Sequence, residues 1–267
     1  MIPFTIFNEE KNDYPIIISL PHSGTWIPED MRESLRQEAV LANTDWFLPE
    51  LYNFLVAKGC TVIENHINRY TVDPNRESRM SGADYQDTVV YQQNTFGNSL
   101  YEQPLSKQTI NQRLTQYYWP YHQALQALID QKKQHFSQVY LFDLHSFAEY
   151  PNGDETKPAD FVIGNQADQT TSAGLRELVT GLLEKEGYSV SNNHPFSGGF
   201  ITRHYGQQAE VAALQLEIRY NCYIEQRSFG EEELTGYEPK LFFEAQARLQ
   251  RIFEDLLAVL PAKKQHE

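Results

Sequence analysis

Val139-Tyr140-Leu141-Phe142-Asp143-Leu144-His145-Ser146 is an apolar, aromatic run that turns polar within its last residues. Such a run reads as a buried strand delivering its final side chains to a sheet edge. In open α/β sheets, ligands bind in the crevice outside the carboxyl ends of the strands. The same pattern occurs near the start, where Pro15-Ile16-Ile17-Ile18-Ser19-Leu20 leads into Pro21-His22-Ser23-Gly24. A single histidine at a strand end is explained well enough as a hydrogen-bonded loop residue. Two strand ends, each tipped by His-Ser, point instead to a pair of metal ligands.

Composition narrows the field. The 267 residues carry a formal charge of −14, with pI about 5.0. Nucleic acid and anionic membrane both need a basic footprint, so neither is expected as a partner. A small anionic substrate remains compatible, because it responds to a local group of arginines. Cys60 and Cys222 lie far apart without a CxxC spacing, as reduced thiols of a cytoplasmic protein would. Met1 to Lys11 shows no secretory pattern, and no apolar run approaches the roughly 20 residues of a membrane span. Hydrophobic residues at 40% suffice for the core of one domain over residues 1–267.

Elsewhere in the chain, strands and helices alternate. Residues 1–14 read as a lead-in. Pro28-Glu29-Asp30-Met31 opens a helix. Trp46, Phe47, Leu51, Phe54 and Leu55 recur at helical spacing over 44–58, with Thr44 as N-cap and Asp45 in the first turn. Cys60–Glu64 reads as a strand. Residues 77–106 are polar and poorly periodic, as a functional loop or a disordered one would be, and the sequence leaves open whether they close over a substrate. A long helix is predicted from about 107 to 135, bent near Pro120. A polar loop over 149–159 precedes a strand at 160–165, and a helix over 170–186 closes at Gly187. A short strand at 188–191 and a Gly-rich loop at 195–203 come next. The chain finishes with an alternating strand over 211–219, an amphipathic helix over 237–260 and a frayed tail. This alternation implies an α/β fold with a mixed, largely parallel sheet.

A catalytic zinc site takes three protein ligands and keeps one position open for water. His22 and His145 supply two. The third is a carboxylate: Asp45 is preferred, Asp143 and Asp73 compete, and Asp45 reads equally as a helix-start acid. Asp143, two residues from His145 on a strand, also suits the role of orienting that ring. His194 and His204 are spare histidines. Glu217 interrupts the apolar strand Leu214–Ile218. An unpaired carboxylate is too costly to bury, so it faces either solvent or a functional cavity. In a cavity it would serve as general base. Asn75-Arg76 forms a clamp suited to a substrate carboxylate, with Arg69, Arg203 and Arg219 also beside motif-like residues. Arg79 reads as a simple partner for a neighbouring acid.

Six stretches together resemble the N-formylglutamate amidohydrolase family: Pro21-His22-Ser23-Gly24, Thr44-Asp45-Trp46, Asp73-Pro74-Asn75-Arg76, Asp143-Leu144-His145-Ser146, Gly198–Arg203 and Gln215–Arg219. They run in order across roughly residues 15–225. The resemblance implies a three-layer sandwich like that of zinc carboxypeptidases and aspartoacylases. It implies one zinc ion per chain on His22, Asp45 and His145, with Glu217 activating water. It also implies that Asn75 and Arg76 grip a substrate carboxylate; Arg69 or Arg219 is expected to help hold the substrate carboxylates, and Arg203 to stand near the oxyanion. The implied reaction takes N-formyl-L-glutamate to formate and L-glutamate, a step of histidine degradation. A related zinc amidase for another N-acyl amino acid or a peptidoglycan-like peptide is the second reading. A non-catalytic small-anion binding protein is the third. The chain departs from the wider superfamily in lacking its His-x-x-Glu pair, since Thr25 stands three residues after His22. Pro74 stands where an aliphatic residue is expected. The sequence leaves the oligomeric state open.

Overall fold

A computed structural model describes residues 2–80, 82, 85–148, 159–225 and 233–260. The polar loop expected over 149–159 lies outside the described residues apart from Ala159, and so does the tail after Leu260. Among the described residues, seven strands form one sheet: β1 Phe4–Phe7, β2 Ile16–Leu20, β3 Thr61–Asn65, β4 Val139–Phe147, β5 Phe161–Gly164, β6 Val190–Asn192 and β7 Val211–Arg219. Their order is β1-β3-β2-β4-β7-β5-β6. Pairing is parallel except at β1–β3 and β5–β7, so the sheet is mixed and largely parallel, as expected. The helices are α1 Glu29–Ser34, α2 Leu48–Leu51, α3 Asn53–Ala57, α4 Lys107–Arg113, α5 Trp119–His135, α6 Ala173–Lys185, α7 Phe200–Tyr205 and α8 Pro239–Val259.

Alternation along the strands builds two apolar layers. Ile16, Ile18, Phe142, Leu144, Leu214 and Leu216 face α6 and α8, whose Leu175, Val179, Leu183, Leu249 and Phe253 cover them. Ile17, Leu141 and Ala213 face α5 and α7, against Leu125, Ile129 and Ile201. The result is a sandwich of three layers. On the α5/α7 side the alternation continues past the apolar residues into Ser19, Asp143, His145, Gln215 and Glu217. The register pairs Ser19 with Asp143, Asp143 with Gln215, and His145 with Glu217. Three parallel strands therefore bring these polar side chains to one place at their carboxyl ends.

Four local expectations need correction. The lead-in contains β1, which pairs antiparallel with β3. The helix expected over 44–58 begins only at Leu48, because Phe47 takes a left-handed φ of 57° and Pro49 starts the first turn. Asp45 is thus in irregular chain rather than at a helix start. The helix before Pro120 is broken by a π-helical stretch, Leu114–Tyr118, so that the proline opens α5. The Gly-rich loop ends at Gly199, where α7 begins. No helix among the described residues is long and apolar enough to cross a membrane.

Candidate metal centre and active site

His22, Asp45 and His145 meet at the carboxyl ends of β2 and β4, with ligand atoms all within 4.8 Å of one another. All three are buried. Asp45 Oδ2 lies 3.9 Å from His22 Nδ1 and 3.1 Å from His145 Nδ1. The opposite nitrogen of each ring faces a second carboxylate. His22 Nε2 is 2.7 Å from Asp73 Oδ1, and His145 Nε2 is 2.8 Å from Asp143 Oδ2. A carboxylate behind Nε2 holds the proton there and leaves the Nδ1 lone pair facing the centre, the usual arrangement of a metal-ligating histidine. Asp73 and Asp143 therefore stand behind the rings.

Both outer carboxylates are held in turn. Asp143 Oδ1 accepts from Ser19 Oγ at 2.7 Å. Asp73 accepts from the Asn75 amide at 2.7 Å, the Tyr91 hydroxyl at 2.6 Å and Arg69 Nη2 at 2.8 Å. Burial disfavours the Asp73 anion, but His22 and Arg69 outweigh it and keep the carboxyl well below the usual range. Burial, then Arg69, lowers the pKa of His22. For His145 burial acts the same way, yet Asp143 and Asp45 carry its pKa well above the ordinary value.

The donor set fits a divalent cation. Asp45, Asp73, Asp143 and Glu217 are at most 7% exposed. Of these, Asp45 and Glu217 line the cavity, together with Asp87, Arg69 and Arg76. Two imidazoles and a carboxylate are a donor set that zinc accepts.

Glu217 lies on β7 across from His145, inside the cavity rather than on a solvent face. Burial pushes its pKa up to about 8, with His145 opposing the shift. Gln215, two residues earlier on the same face, donates from Nε2 to Glu217 Oε1 at 2.8 Å and accepts the Gly199 amide at 2.7 Å. A cation at the three ligands would favour the ionised carboxylate.

The cavity, about 850 Å³, is lined by His22, Asp45, Arg69, Asn75, Arg76, His145 and Glu217 among others. Gln86, Asp87, Gln93, Asn94, Thr95 and Gly97 join the wall, so part of the irregular 77–106 stretch borders the site. Arg76 donates to Tyr91 Oη at 3.3 Å and to the Gln86 carbonyl at 3.1 Å. Asn75 Oδ1 accepts the Ile201 amide at 2.8 Å. A Cβ on Gly199 would come within 2.4 Å of the Asn75 side chain, so glycine is required for this approach.

Two arginines are placed elsewhere. Arg203 is on the exposed side of α7 and does not line the cavity, so it is not the oxyanion partner expected. Arg219 shares the face of Gln215 and Glu217, but the chain running into β5 brings Asp160 to it. Its Nη2 donates to Asp160 Oδ1 at 2.6 Å, and it is absent from the cavity wall. It is thus no carboxylate clamp. Arg79 pairs with Glu77 at 2.5 Å, as expected. Neither His194 nor His204 joins the metal cluster. The sequence reading missed Gln215, Ser19 and Tyr91; only the period of two linking Gln215 to Glu217 offered a signal.

Behind Asn75, His122 Nε2 donates to the Pro74 carbonyl at 2.9 Å and Nδ1 meets the Tyr205 hydroxyl at 2.9 Å. Burial pushes its pKa down to about 4, whereas the unfolded ring titrates near 6.5. Between these values the unfolded chain binds more protons. Stability is therefore unaffected above about pH 6.5 and falls as pH drops toward 4, by about 3 kcal/mol in total. Urea melts of His122→Gln across that window should lose this part of the slope; an unchanged slope would contradict the assignment.

The family model for N-formylglutamate amidohydrolase matches residues 14–224. N-formylglutamate deformylase of Pseudomonas putida is 32% identical over 255 residues, which is 91% of this chain and 92% of the relative. The protein of the same name from Pseudomonas aeruginosa is 30% identical over 261 residues, 95% and 96% of the two chains. The crystal structure of N-formylglutamate amidohydrolase from Ralstonia eutropha JMP134 superposes with a TM-score of 0.78 at 27% identity, covering 96% of this chain and 98% of the other. A protein from Agrobacterium tumefaciens shares the fold at a TM-score of 0.73 and 15% identity, over 96% of each chain. With that family model spanning most of its length, and relatives aligned from end to end, the chain belongs to the N-formylglutamate amidohydrolase family.

Proposed function

We propose that this chain hydrolyses the amide bond of N-formyl-L-glutamate to formate and L-glutamate, acting as one domain over residues 1–267. The observation that carries the reading is Glu217, a buried carboxylate sharing one cavity with His22, Asp45, His145 and two arginines. His22, Asp45 and His145 would hold one zinc ion, with Asp73 and Asp143 fixing the rings. When bound, such an ion supplies Lewis acidity toward a carbonyl oxygen and acidifies water. Glu217 takes a proton from the attacking water as its oxygen bonds to the formyl carbon. The C–N bond then breaks, and Glu217 returns the proton to the departing amine. Gln215 holds one oxygen of Glu217 during both transfers. Arg69, Arg76 and Asn75 hold the two carboxylates of the substrate, the planar forks of the arginines suiting that geometry. Cytoplasmic residence belongs to the same proposal, consistent with Cys60 and Cys222 as free thiols.

The volume of the cavity favours a second reading. At about 850 Å³ it stands toward the upper end of small-molecule sites, so a related amidase with a larger acyl group is the alternative. Formate release from N-formyl-L-glutamate by metal-analysed protein, with N-acetylglutamate and N-acetylaspartate alongside, decides between them. Selective formate release with about one zinc per chain is expected. Preference for an acetyl substrate would replace the proposal with the alternative, and metal uptake without any turnover would overturn both.

A further inference from the structure

Asp45 stands in chain that has no regular structure to hold it. It lies between Asn43 and Phe47, both left-handed at φ 66° and 57°, and precedes the first turn of α2. Its own amide donates to the His22 carbonyl at 3.1 Å. A ligand on such a loop needs outside support if its carboxylate is to stay within about 0.5 Å of a working position. Here that support comes from the turn after β7. The Tyr220 hydroxyl donates to the Thr44 carbonyl, and the Tyr223 hydroxyl donates to the Trp46 carbonyl at 2.8 Å. These are the carbonyls of the two residues on either side of Asp45. Gripping them fixes the peptide entering Asp45 and the peptide leaving Trp46, which anchors the short stretch that carries the Asp45 side chain at both of its ends.

We infer that Tyr220 and Tyr223 are positioning residues for the metal ligand Asp45, a two-hydroxyl clamp that sets the affinity of the centre for its ion. The inference rests on the reading of His22, Asp45 and His145 as ligands. Tyr220 and Tyr223 are 3% and 0% exposed, so each hydroxyl needs a partner inside the protein. Both are directed at the same three-residue stretch. Tyr223 Oη also lies 3.0 Å from Ser146 Oγ, next to His145, which ties the Asp45 loop to the strand bearing the second ring. The clamp begins three residues after Glu217, so one short turn connects the general base, Asp45 and the neighbour of His145. Tyr220 lines the cavity, whereas Tyr223 does not. That difference allows an effect on the ion to be separated from an effect on substrate.

The test is zinc affinity by chelator competition on the full chain, for the wild type, Tyr223→Phe, the double variant Tyr220→Phe/Tyr223→Phe, and Asp45→Asn. Tyrosine to phenylalanine removes only the hydroxyl. Loss of one outer-shell partner should weaken zinc binding by about tenfold, and loss of both by up to about 100-fold. At saturating zinc, Tyr223→Phe should keep the wild-type KM, because its ring does not meet the substrate. A merely structural role would lower the melting temperature and leave zinc affinity in place. The inference is overturned if both clamp variants bind zinc within about twofold of wild type while Asp45→Asn loses it. If Asp45→Asn binds as tightly as wild type, the metal centre itself is misassigned and the inference falls with it. Should the double variant fail to fold, Tyr223→Phe decides by the same criterion.

Discussion

Glu217→Gln is expected to lower turnover by about 10²–10⁴-fold, the usual contribution of a positioned general acid–base group, while the ion stays bound. The substitution keeps the size of a side chain that is 7% exposed. The new amide can still meet Gln215, but it accepts no proton from water and returns none to the leaving amine. KM should change little, because the arginines and Asn75 that would hold the substrate are untouched. The pH profile offers a second check. The base works only when ionised, and burial pushes its pKa up to about 8; a bound cation pulls it back down. Activity of the loaded enzyme should therefore rise with pH through an acid limb below about 8, and that limb should vanish in the variant. Formate release across pH, with zinc analysis of both proteins, measures this. Full activity in Glu217→Gln would remove Glu217 from the mechanism.

Removal of the ion should have the other large effect. Dialysis against a chelator is expected to abolish turnover, and one equivalent of zinc to restore it. His145→Ala should weaken zinc binding beyond the ~10–100-fold typical of losing an outer-shell partner, because a ligand itself is lost. It also leaves Asp45 and Asp143 without the ring that lies 3.1 and 2.8 Å from them. Since the ion binds only the assembled site, zinc at 1,000 times its Kd should stabilise the wild type by about 4 kcal/mol and the variant far less. Calorimetric melts with and without zinc would reveal this. A stripped wild type that melts at the same temperature and turns over at the same rate would end the metal reading.

The strands that build the site were legible as a local pattern. Ile16–Leu20, Val139–His145 and Val211–Ile218 are apolar runs bounded by polar residues, and their period of two placed Asp143 with His145 and Gln215 with Glu217. The amphipathic repeat of α8 was equally plain, since Leu249, Ile252, Phe253 and Leu256 recur at helical spacing and are all buried. His22, His145 and Glu217 stood out because each is a polar group at or inside an apolar strand, and Asn75-Arg76 because of its place in the ordered motifs.

Other assignments depended on contacts between distant segments. Asp45, Asp73 and Asp143 were competing carboxylates in the sequence. They separate only where β2 and β4 lie in register and the loops fold over them, so that Asp45 meets both Nδ1 atoms while Asp73 and Asp143 stand behind the rings. Arg219 looked like a clamp from its strand neighbours, but the chain entering β5 delivers Asp160 to it. Arg203 looked equally apt, but the helix beginning after Gly199 turns it outward. The helical spacing around Asp45 misled because Phe47 adopts a left-handed backbone and Pro49 starts the turn late. Tyr220 and Tyr223 carry no sequence signal at all, since their partners are carbonyls some 176 and 177 positions away. Periodicity is local and can be read along the chain. Which of several chemically similar groups meets a given atom depends on strand register and loop closure, which exist only once the sheet has formed.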